Sequence, residues 1–363
     1  MGNKTLDVVV VGAGPGGSIA AKKCSKAGLR ALLIEKKKLP RDKVCSGMLM
    51  GRWANDLVRE EFGDPPPGVL TGAYKGVALH AGRNNSVWIS SHIPVGWRKN
   101  LDYWMCQKAS ESGTRILDAT HINSMVEHEA GYQLEFKRQE DENTEKVYAR
   151  FIIGADGAFS QVRRSFWPDL NVDSRAALRE CYREPLSIDK DFFHWFFPHV
   201  SPSPRFAVNY KDGHFLVEGG GIKQLRKEIA DVLNDYGMPS DAKPVWRDAC
   251  GMSALHDVLL DDSFVPAKGN VLLAGDAAGV LLPFTQEGIG SALKSGAMAA
   301  ESVVEALVGG GKADRCYLKK MQEIKTVLRD LRSLHKRMGE IAGKGAEALA
   351  EAMGSFVEKT LKL

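Results

Sequence analysis

The chain has 363 residues, 44% of them hydrophobic and 26% charged, with 49 Lys and Arg against 45 Asp and Glu for a net charge of +4. Such a composition folds as a globular chain that buries a substantial core without disulfides or metals, in two domains or in one domain carrying an insertion. Disorder, collagen, a coiled-coil rod and a small disulfide scaffold are excluded.

In chain order, residues 7–11 are a β-branched run suited to a parallel strand buried on both faces. The run enters Gly12-Ala13-Gly14-Pro15-Gly16-Gly17 and a helical pattern closed by Gly28; residues 31–34 form the second strand, ended by Glu35. A GxGxxG alone occurs by chance. Here it follows a strand, opens a helix and meets an acidic residue 23 positions after Gly12, which completes a dinucleotide-binding unit. Gly12 permits the tight turn, Gly14 lets the backbone approach a pyrophosphate, and Gly17 lets helix and strand pack closely. The phosphates are expected at the helix N-terminus and the ribose hydroxyls on Glu35. This unit alone does not separate NAD from FAD.

Residues 71–97 and 175–261 carry strand-like runs at 77–80, 86–89, 192–197, 205–210 and 214–219. Turn signals such as Lys211-Asp212-Gly213 separate them, so they predict an antiparallel sheet. Arg98-Lys99-Asn100-Leu101-Asp102 precedes a helix over 103–112. Residues 151–163 are a strand entering Gly154-Ala155-Asp156-Gly157, and 270–279 are a second buried strand ending in Gly275-Asp276-Ala277-Ala278-Gly279. Pro283-Phe284-Thr285-Gln286-Glu287-Gly288-Ile289-Gly290 then leads into a small-residue helix over 291–300.

The tail, residues 311–363, holds 12 basic and 7 acidic side chains, whereas the rest of the chain is balanced to within one charge. A nucleic-acid partner would need a basic surface on the body and is not expected. Ile324, Val327, Leu331, Leu334, Met338 and Ile341 form one apolar stripe on a basic helix, and 346–363 is a second amphipathic stretch. The stripe is expected to pack on the body, with peripheral contact to anionic lipid as the alternative. Cys24, Cys45, Cys106, Cys181, Cys250 and Cys316 make no CxxC pair, and no His pair has zinc spacing, so neither a disulfide framework nor a metal is expected. With no apolar run near the ~18 residues of a membrane span, and with a strand where a leader peptide would lie, the expected location is cytoplasmic, at most peripheral at a membrane.

The three glycine segments, in this order, resemble the FAD-binding pattern of the para-hydroxybenzoate hydroxylase-like flavoproteins. Within that class, GDAAG followed by PFTQEGIG resembles the geranylgeranyl reductase family. The resemblance covers most of residues 7–310 and implies a discontinuous Rossmann-like α/β FAD-binding domain (1–70, 98–174 and 262–310). A mainly antiparallel β-sheet substrate domain (71–97 and 175–261) is inserted in it, and a helical tail follows (311–363). FAD is the implied cofactor. NAD(P)H is the implied transient reductant, since no second GxGxxG is present.

By the same resemblance, Asp276 and Gly279 would hold the ribityl and phosphate side of the cofactor. The amides of Gly288 and Ile289 would face the flavin N1/C2=O edge, where a helix N-terminus stabilises negative charge. Asp156 and Gly157 would support the cofactor and the approach of NAD(P)H, and Arg98 would lie near the cofactor. Lys36 and Arg41 would serve the adenosine and phosphate end, and Cys45, Ser46 and Gly47 would pass the ring. Phe193-His194-Trp195-Phe196-Phe197-Pro198 resembles the family's Tyr-x-Trp-x-Phe-Pro motif but has Phe193 in place of Tyr and Lys190 in place of an upstream Pro. Positions 193, 195 and 197 share one strand face and are expected either to wall the flavin or to form the sheet's core. Cys45 and Trp195 are the candidate residues on the reaction side. His194, His199, His80 and His92 are the nearest candidate acid–base groups.

The expected function is NAD(P)H-driven reduction of a C=C bond in a small apolar, isoprenoid-like substrate. A flavin monooxygenase or halogenase-like enzyme is the alternative, and a non-enzymatic prenyl-binding protein a third reading.

Overall fold

The computed structural model describes residues 5–129, 131–141, 143–221 and 225–363. Its elements are β1 (Leu6–Val11), α1 (Pro15–Lys26), β2 (Ala31–Ile34), α2 (Arg52–Phe62), β3 (Gly72–Ala81), β4 (Asn85–Val95), α3 (Arg98–Glu111), β5 (Arg115–Leu117), β6 (Thr120–His128), β7 (Gly131–Arg138), β8 (Thr144–Gly154) and α4 (Gln161–Phe166). There follow β9 (Asp173–Tyr182), β10 (Phe192–Phe197), β11 (Phe206–Lys211), β12 (His214–Gly220), α5 (Arg226–Asn234), β13 (Trp246–Ala254), α6 (His256–Leu260), β14 (Ala267–Lys268), β15 (Val271–Leu273), α7 (Ile289–Gly309), α8 (Ala313–Ala342) and α9 (Ala346–Lys362).

The valines of β1 are buried because the strand lies mid-sheet, parallel to β2 on one side and β8 on the other. The order β15-β8-β1-β2-β5 reverses at β1, with β14 antiparallel at one edge and β7 and β6 joined as a meander to β8. In such sheets the crevice past the carboxyl ends of the strands at the reversal point is the ligand site. Here that crevice receives the loop 12–17. Pro15 opens α1 at a position that needs no N–H donor.

The second sheet runs β13-β9-β12-β11-β10-β3-β4. It is antiparallel except where β10 lies parallel to β3, because the 98–182 segment intervenes between them in the chain. The face bearing Phe196, Phe206, Phe215 and Val217 packs on Ile229 and Leu233 of α5. Trp195 and Phe193 stand on the opposite face.

The tail is part of the main core. Tyr317, Met321, Ile324, Leu328, Leu331 and Met338 of α8 are buried, as are Met353, Phe356 and Val357 of α9. Val327, Leu334 and Ile341 of the expected stripe are partly buried against the same core. Tyr317 donates to the Leu273 carbonyl at 2.5 Å, and Trp53 N donates to Leu363 O at 2.6 Å. No described helix is long and apolar enough to cross a membrane.

Candidate functional site

Gly12 takes φ +101°, and a Cβ there would stand 2.4 Å from the Ala155 carbonyl oxygen; at Gly17 a Cβ would fall 1.8 Å from Gly12 O. These two glycines are needed by the fold itself. Gly14 differs, with φ −89° and nothing nearer to an added Cβ than Arg41 Nη2 and Arg98 Nη2, both at 3.8 Å. It therefore leaves an open notch at the N-terminus of α1, flanked by two guanidinium groups.

Neither arginine is a solvated surface charge. Arg98, 4% exposed, grips Asp102 with Nε–Oδ1 at 2.6 Å and Nη2–Oδ2 at 2.8 Å. Arg41 reaches Asp102 Oδ2 at 3.0 Å, Glu35 Oε2 at 3.1 Å and the Ala13 carbonyl at 3.1 Å. Glu35 also accepts from Ala13 N and Lys37 N, each at 3.0 Å. The paired charges compensate one another, as burial requires, and they hold the glycine loop in shape. Lys36 is exposed at the rim.

Two adjoining cavities run along this surface. One, of ≈ 430 Å³, is lined by Gly12, Glu35, Lys36, Arg41 and Asp156; the other, of ≈ 450 Å³, by Cys45, Ser46, Arg98, Gly288, Ile289 and Trp195. Gly14, Gly157 and Asp276 border both. Gly17, Gly47 and Gly279 border neither. At Gly47 a Cβ would meet Gly96 O at 1.8 Å, and at Gly279 the Leu255 Cβ at 2.5 Å, so close packing requires those glycines. An elongated cleft that opens at the Gly14 notch and is bordered by a ribose-type acceptor and by Asp276 fits a dinucleotide carrying a second ring system.

Asp156 Oδ2 accepts from Gln161 N at 2.6 Å and Val162 N at 3.2 Å, fixing the turn into α4; Oδ1 is buried with no partner among the described residues. Asp276, at the end of β15, has Lys43 Nζ at 3.6 Å, and a Cβ at Gly288 would lie 3.5 Å from its Oδ1. Ile289 departs from expectation. Its amide, which was to face the flavin, donates to Glu287 Oε1 at 2.8 Å, and Gly290 N does so at 2.9 Å. Glu287 thus caps α7 from its own N-terminal side, and burial pushes its carboxyl up to about 7 against those two backbone bonds. Glu287 lies inside the quoted motif; only the folded turn shows what its side chain binds.

On β10, Trp195 and Phe193 border the cavity and pack edge to face, with centroids 5.1 Å apart, whereas Phe197 is fully buried and stacks on Phe284 at 5.7 Å. Wall and core are both present on this strand. Cys45, half-buried, accepts from Gly47 N at 3.3 Å.

None of the expected histidines reaches either cavity. His194 alternates with Phe193 and Trp195 and so points to the far face. There its Nδ1 meets His80 Nε2 at 2.9 Å, and His80 stacks on Phe196 at 4.6 Å. Burial pushes both below the usual imidazole range, His80 to about 3. His92 and His199 are exposed.

Four residues at the site escaped the sequence reading. His335 of α8 borders the cavity beside Phe284 with Nε2 3.1 Å from Ser203 Oγ. Arg179 of β9 pairs with Asp248 and donates to Cys45 O at 3.1 Å, while Lys211 of β11 donates to the carbonyls of Ser46 and Gly96. Glu218 of β12 borders the cavity. The signal was present as charged residues on alternate positions of buried strands, but such positions also describe a solvated sheet face.

Comparison with known proteins agrees with this geometry. Residues 94–177 match the FAD binding domain family and residues 10–40 the NAD(P)-binding Rossmann-like domain family. The chain is 27% identical over 85% of its length to digeranylgeranylglycerophospholipid reductase 3 of Methanosphaera stadtmanae, covering 79% of that protein. It is 27% identical over 91% of its length to geranylgeranyl diphosphate reductase of Rhodobacter capsulatus, covering 84% of it. The chain is thus similar over most of its length to proteins named as geranylgeranyl reductases. It is an FAD-dependent oxidoreductase, so the non-enzymatic reading falls. The fold is shared with a geranylgeranyl bacteriochlorophyll reductase-like protein from Thermoplasma acidophilum, at TM-score 0.77 and 21% identity over 99% of this chain and 93% of that one. It is shared too with the flavin-dependent halogenase CmlS, at TM-score 0.72 and 14% identity over 96% of this chain and 67% of that one.

Proposed function

We propose that the protein reduces C=C bonds of an apolar, isoprenoid-like substrate, with NAD(P)H as the source of electrons. The observation that carries this reading is the continuity of the ≈ 450 Å³ cavity. The same space borders Gly14, Cys45 and Asp276 as well as Phe193, Trp195 and Phe284. An apolar chain bound along the aromatic residues would reach the cofactor segment without crossing water, and its burial supplies roughly 25 cal/mol per Å².

In this reading Gly14, with Arg41 and Arg98 beside it, receives the pyrophosphate at the N-terminus of α1. Glu35 receives the adenosine ribose with Lys36 at the rim. Asp156, Gly157, Asp276 and Gly288 border the middle of the cofactor, while Gly12, Gly17, Gly47 and Gly279 shape the backbone around it. Bound FAD would supply two-electron transfer. Cys45 and Ser46 are held against the ring's place by Arg179 and Lys211, and Trp195 orients the substrate and excludes water. A lipid surface would meet the basic outer positions Arg329, Lys336 and Arg337 of α8, since its apolar stripe is covered by the body.

The test is turnover of geranylgeranyl diphosphate with NADPH or NADH by the FAD-loaded protein, read by mass spectrometry as two hydrogens gained per bond. Product formed under strict anaerobiosis supports a reductase. Product that requires oxygen overturns it in favour of a monooxygenase.

A further inference from the structure

One row of side chains crosses the seven-stranded sheet on the face that covers the cleft. Strand register sets Leu79, Trp195, Ala207, Glu218, Arg179 and Asp248 side by side on β3, β10, β11, β12, β9 and β13. Trp195, Ala207 and Glu218 border the cavity that also holds Cys45 and Asp276. With strands about 4.8 Å apart, Glu218 stands two strands, or roughly 10 Å, from Trp195. Ala207 lies between them and is too small to fill the gap.

Glu218 Oε1 is buried and makes no hydrogen bond of normal geometry among the described residues; the one side-chain amide facing it, Asn209 on β11, has a buried Nδ2 that is likewise without a well-formed bond. A buried polar atom without a partner costs about 1–3 kcal/mol, so its presence beside the aromatic residues of the cavity points to a use. The charged groups facing it are Lys211 from β11, Arg179 from β9 and Asp248 from β13, with Asn209 as the polar neighbour. Arg179 is committed to Asp248 and the Cys45 carbonyl, and Lys211 to the carbonyls of Ser46 and Gly96. Burial therefore prevails over the two cations and holds the Glu218 carboxyl above its ordinary range. His335, which also borders this space, is held toward its neutral form by burial and bonds to Ser203, which leaves it a poor proton donor.

We propose that Glu218 is the catalytic acid of this enzyme, donating the proton that one alkene carbon gains while hydride adds to the other. The inference rests on the reading of the chain as a C=C reductase. In the step, the Glu218 O–H bond breaks, its electrons staying on the carboxylate. The π pair of the alkene forms the new C–H bond at the less substituted carbon. The more substituted carbon, left electron-deficient beside the aromatic faces of Trp195 and Phe193, takes the hydride supplied by the reduced cofactor, whose two electrons come from NAD(P)H. Cation–π attraction favours that charge at that place. The carboxylate recovers its proton from water, closing the balance.

The test compares wild type with Glu218→Gln, which keeps the shape and loses the proton. Infrared difference spectra taken across a pH titration of the cofactor-free proteins should show, besides the band of the Glu287 carboxyl, a protonated-carboxyl C=O band at neutral pH in wild type that Glu218→Gln lacks and Glu287→Gln keeps. With FAD loaded and reduced, anaerobic reoxidation by geranylgeranyl diphosphate should slow by about 10²-fold or more in Glu218→Gln. The wild-type fall in rate toward high pH should disappear with it, while the FAD content of the two proteins stays equal. Wild-type reoxidation rates and an unchanged pH profile in the variant would overturn the assignment, as would infrared carboxyl bands that Glu218→Gln leaves unchanged from wild type. If reduced wild type is not reoxidised by the alkene at all, the reductase reading itself falls and the donor role falls with it; the infrared arm, which needs neither cofactor nor substrate, keeps the two failures apart.

Discussion

Gly14→Glu separates folding from cofactor binding, because the structure makes Gly14 unlike its neighbours. A Cβ at Gly12 or Gly17 would strike backbone at 2.4 or 1.8 Å, so substitution there disrupts the loop whether or not a cofactor is bound. At Gly14 the nearest atoms are the guanidinium nitrogens of Arg41 and Arg98, both at 3.8 Å, and φ is −89°. Replacing Gly by a side chain compatible with this backbone gains about 0.4–1 kcal/mol by restricting the unfolded chain. Losing Gly at the N-cap costs a similar amount. The two effects cancel to within about 1 kcal/mol, and the new carboxylate gains two cationic neighbours. The melting temperature of the cofactor-free variant should therefore match or exceed that of wild type. FAD affinity should collapse, because the carboxylate takes the notch and repels the pyrophosphate. Like charges brought together at an interface cost several kcal/mol, and about 4 kcal/mol corresponds to a 10³-fold rise in Kd. Titration of the cofactor-free protein with FAD, followed by quenching of flavin fluorescence, reads the affinity, and calorimetry reads the stability. Stoichiometric FAD in Gly14→Glu, or a variant that melts many degrees early without cofactor, would refute the assignment of the notch to the pyrophosphate.

Three further predictions concern stability. Because the Glu287 carboxyl is pushed up to about 7 from 4.5, the folded state holds a proton that the unfolded state releases. Wild type should lose up to about 3 kcal/mol as pH rises from 4.5 to 7, and Glu287→Gln, whose Oε1 still accepts from Ile289 and Gly290, should melt higher than wild type at pH 8 but not at pH 4.5. For His80, lowered from 6.5 to about 3, the unfolded state binds the extra proton. Its contribution is nil above pH 6.5, and denaturant midpoints should fall below that pH by up to about 1.4 kcal/mol per unit, less steeply in His80→Gln. Phe356, fully buried on α9 and 4.5 Å from the Phe284 ring, should cost about 3–5 kcal/mol on conversion to Ala. An unchanged melting temperature would mean that the tail is an appendage and not core.

Much of the cofactor end was legible locally. The run 7–11, the glycine spacing and Glu35 lie within about thirty residues, and each physical requirement (a buried parallel strand, a notch without a Cβ, an acceptor at the end of the second strand) is met by a residue type at a fixed offset. The reaction end was not legible in this way. Glu218, Arg179 and Trp195 are far apart in the chain and meet only because β9, β12, β11 and β10 pair in one register. A shift by one residue would have turned each of them to the α5 side. The same parity removed His80 and His194 from the cleft, although as residue types they were the natural acid–base candidates.

The sequence by itself therefore determined the dinucleotide unit, the resemblance to the geranylgeranyl reductases and the amphipathic character of the tail, since these depend on residue identity at short spacing. Tertiary structure alone decided that Ile289's amide is taken by Glu287, that the α8 stripe faces the core, and that an unpartnered carboxyl stands in the aromatic cavity. Each of these depends on which face of an element a side chain occupies and on what distant segment lies against it, and long-range packing fixes both.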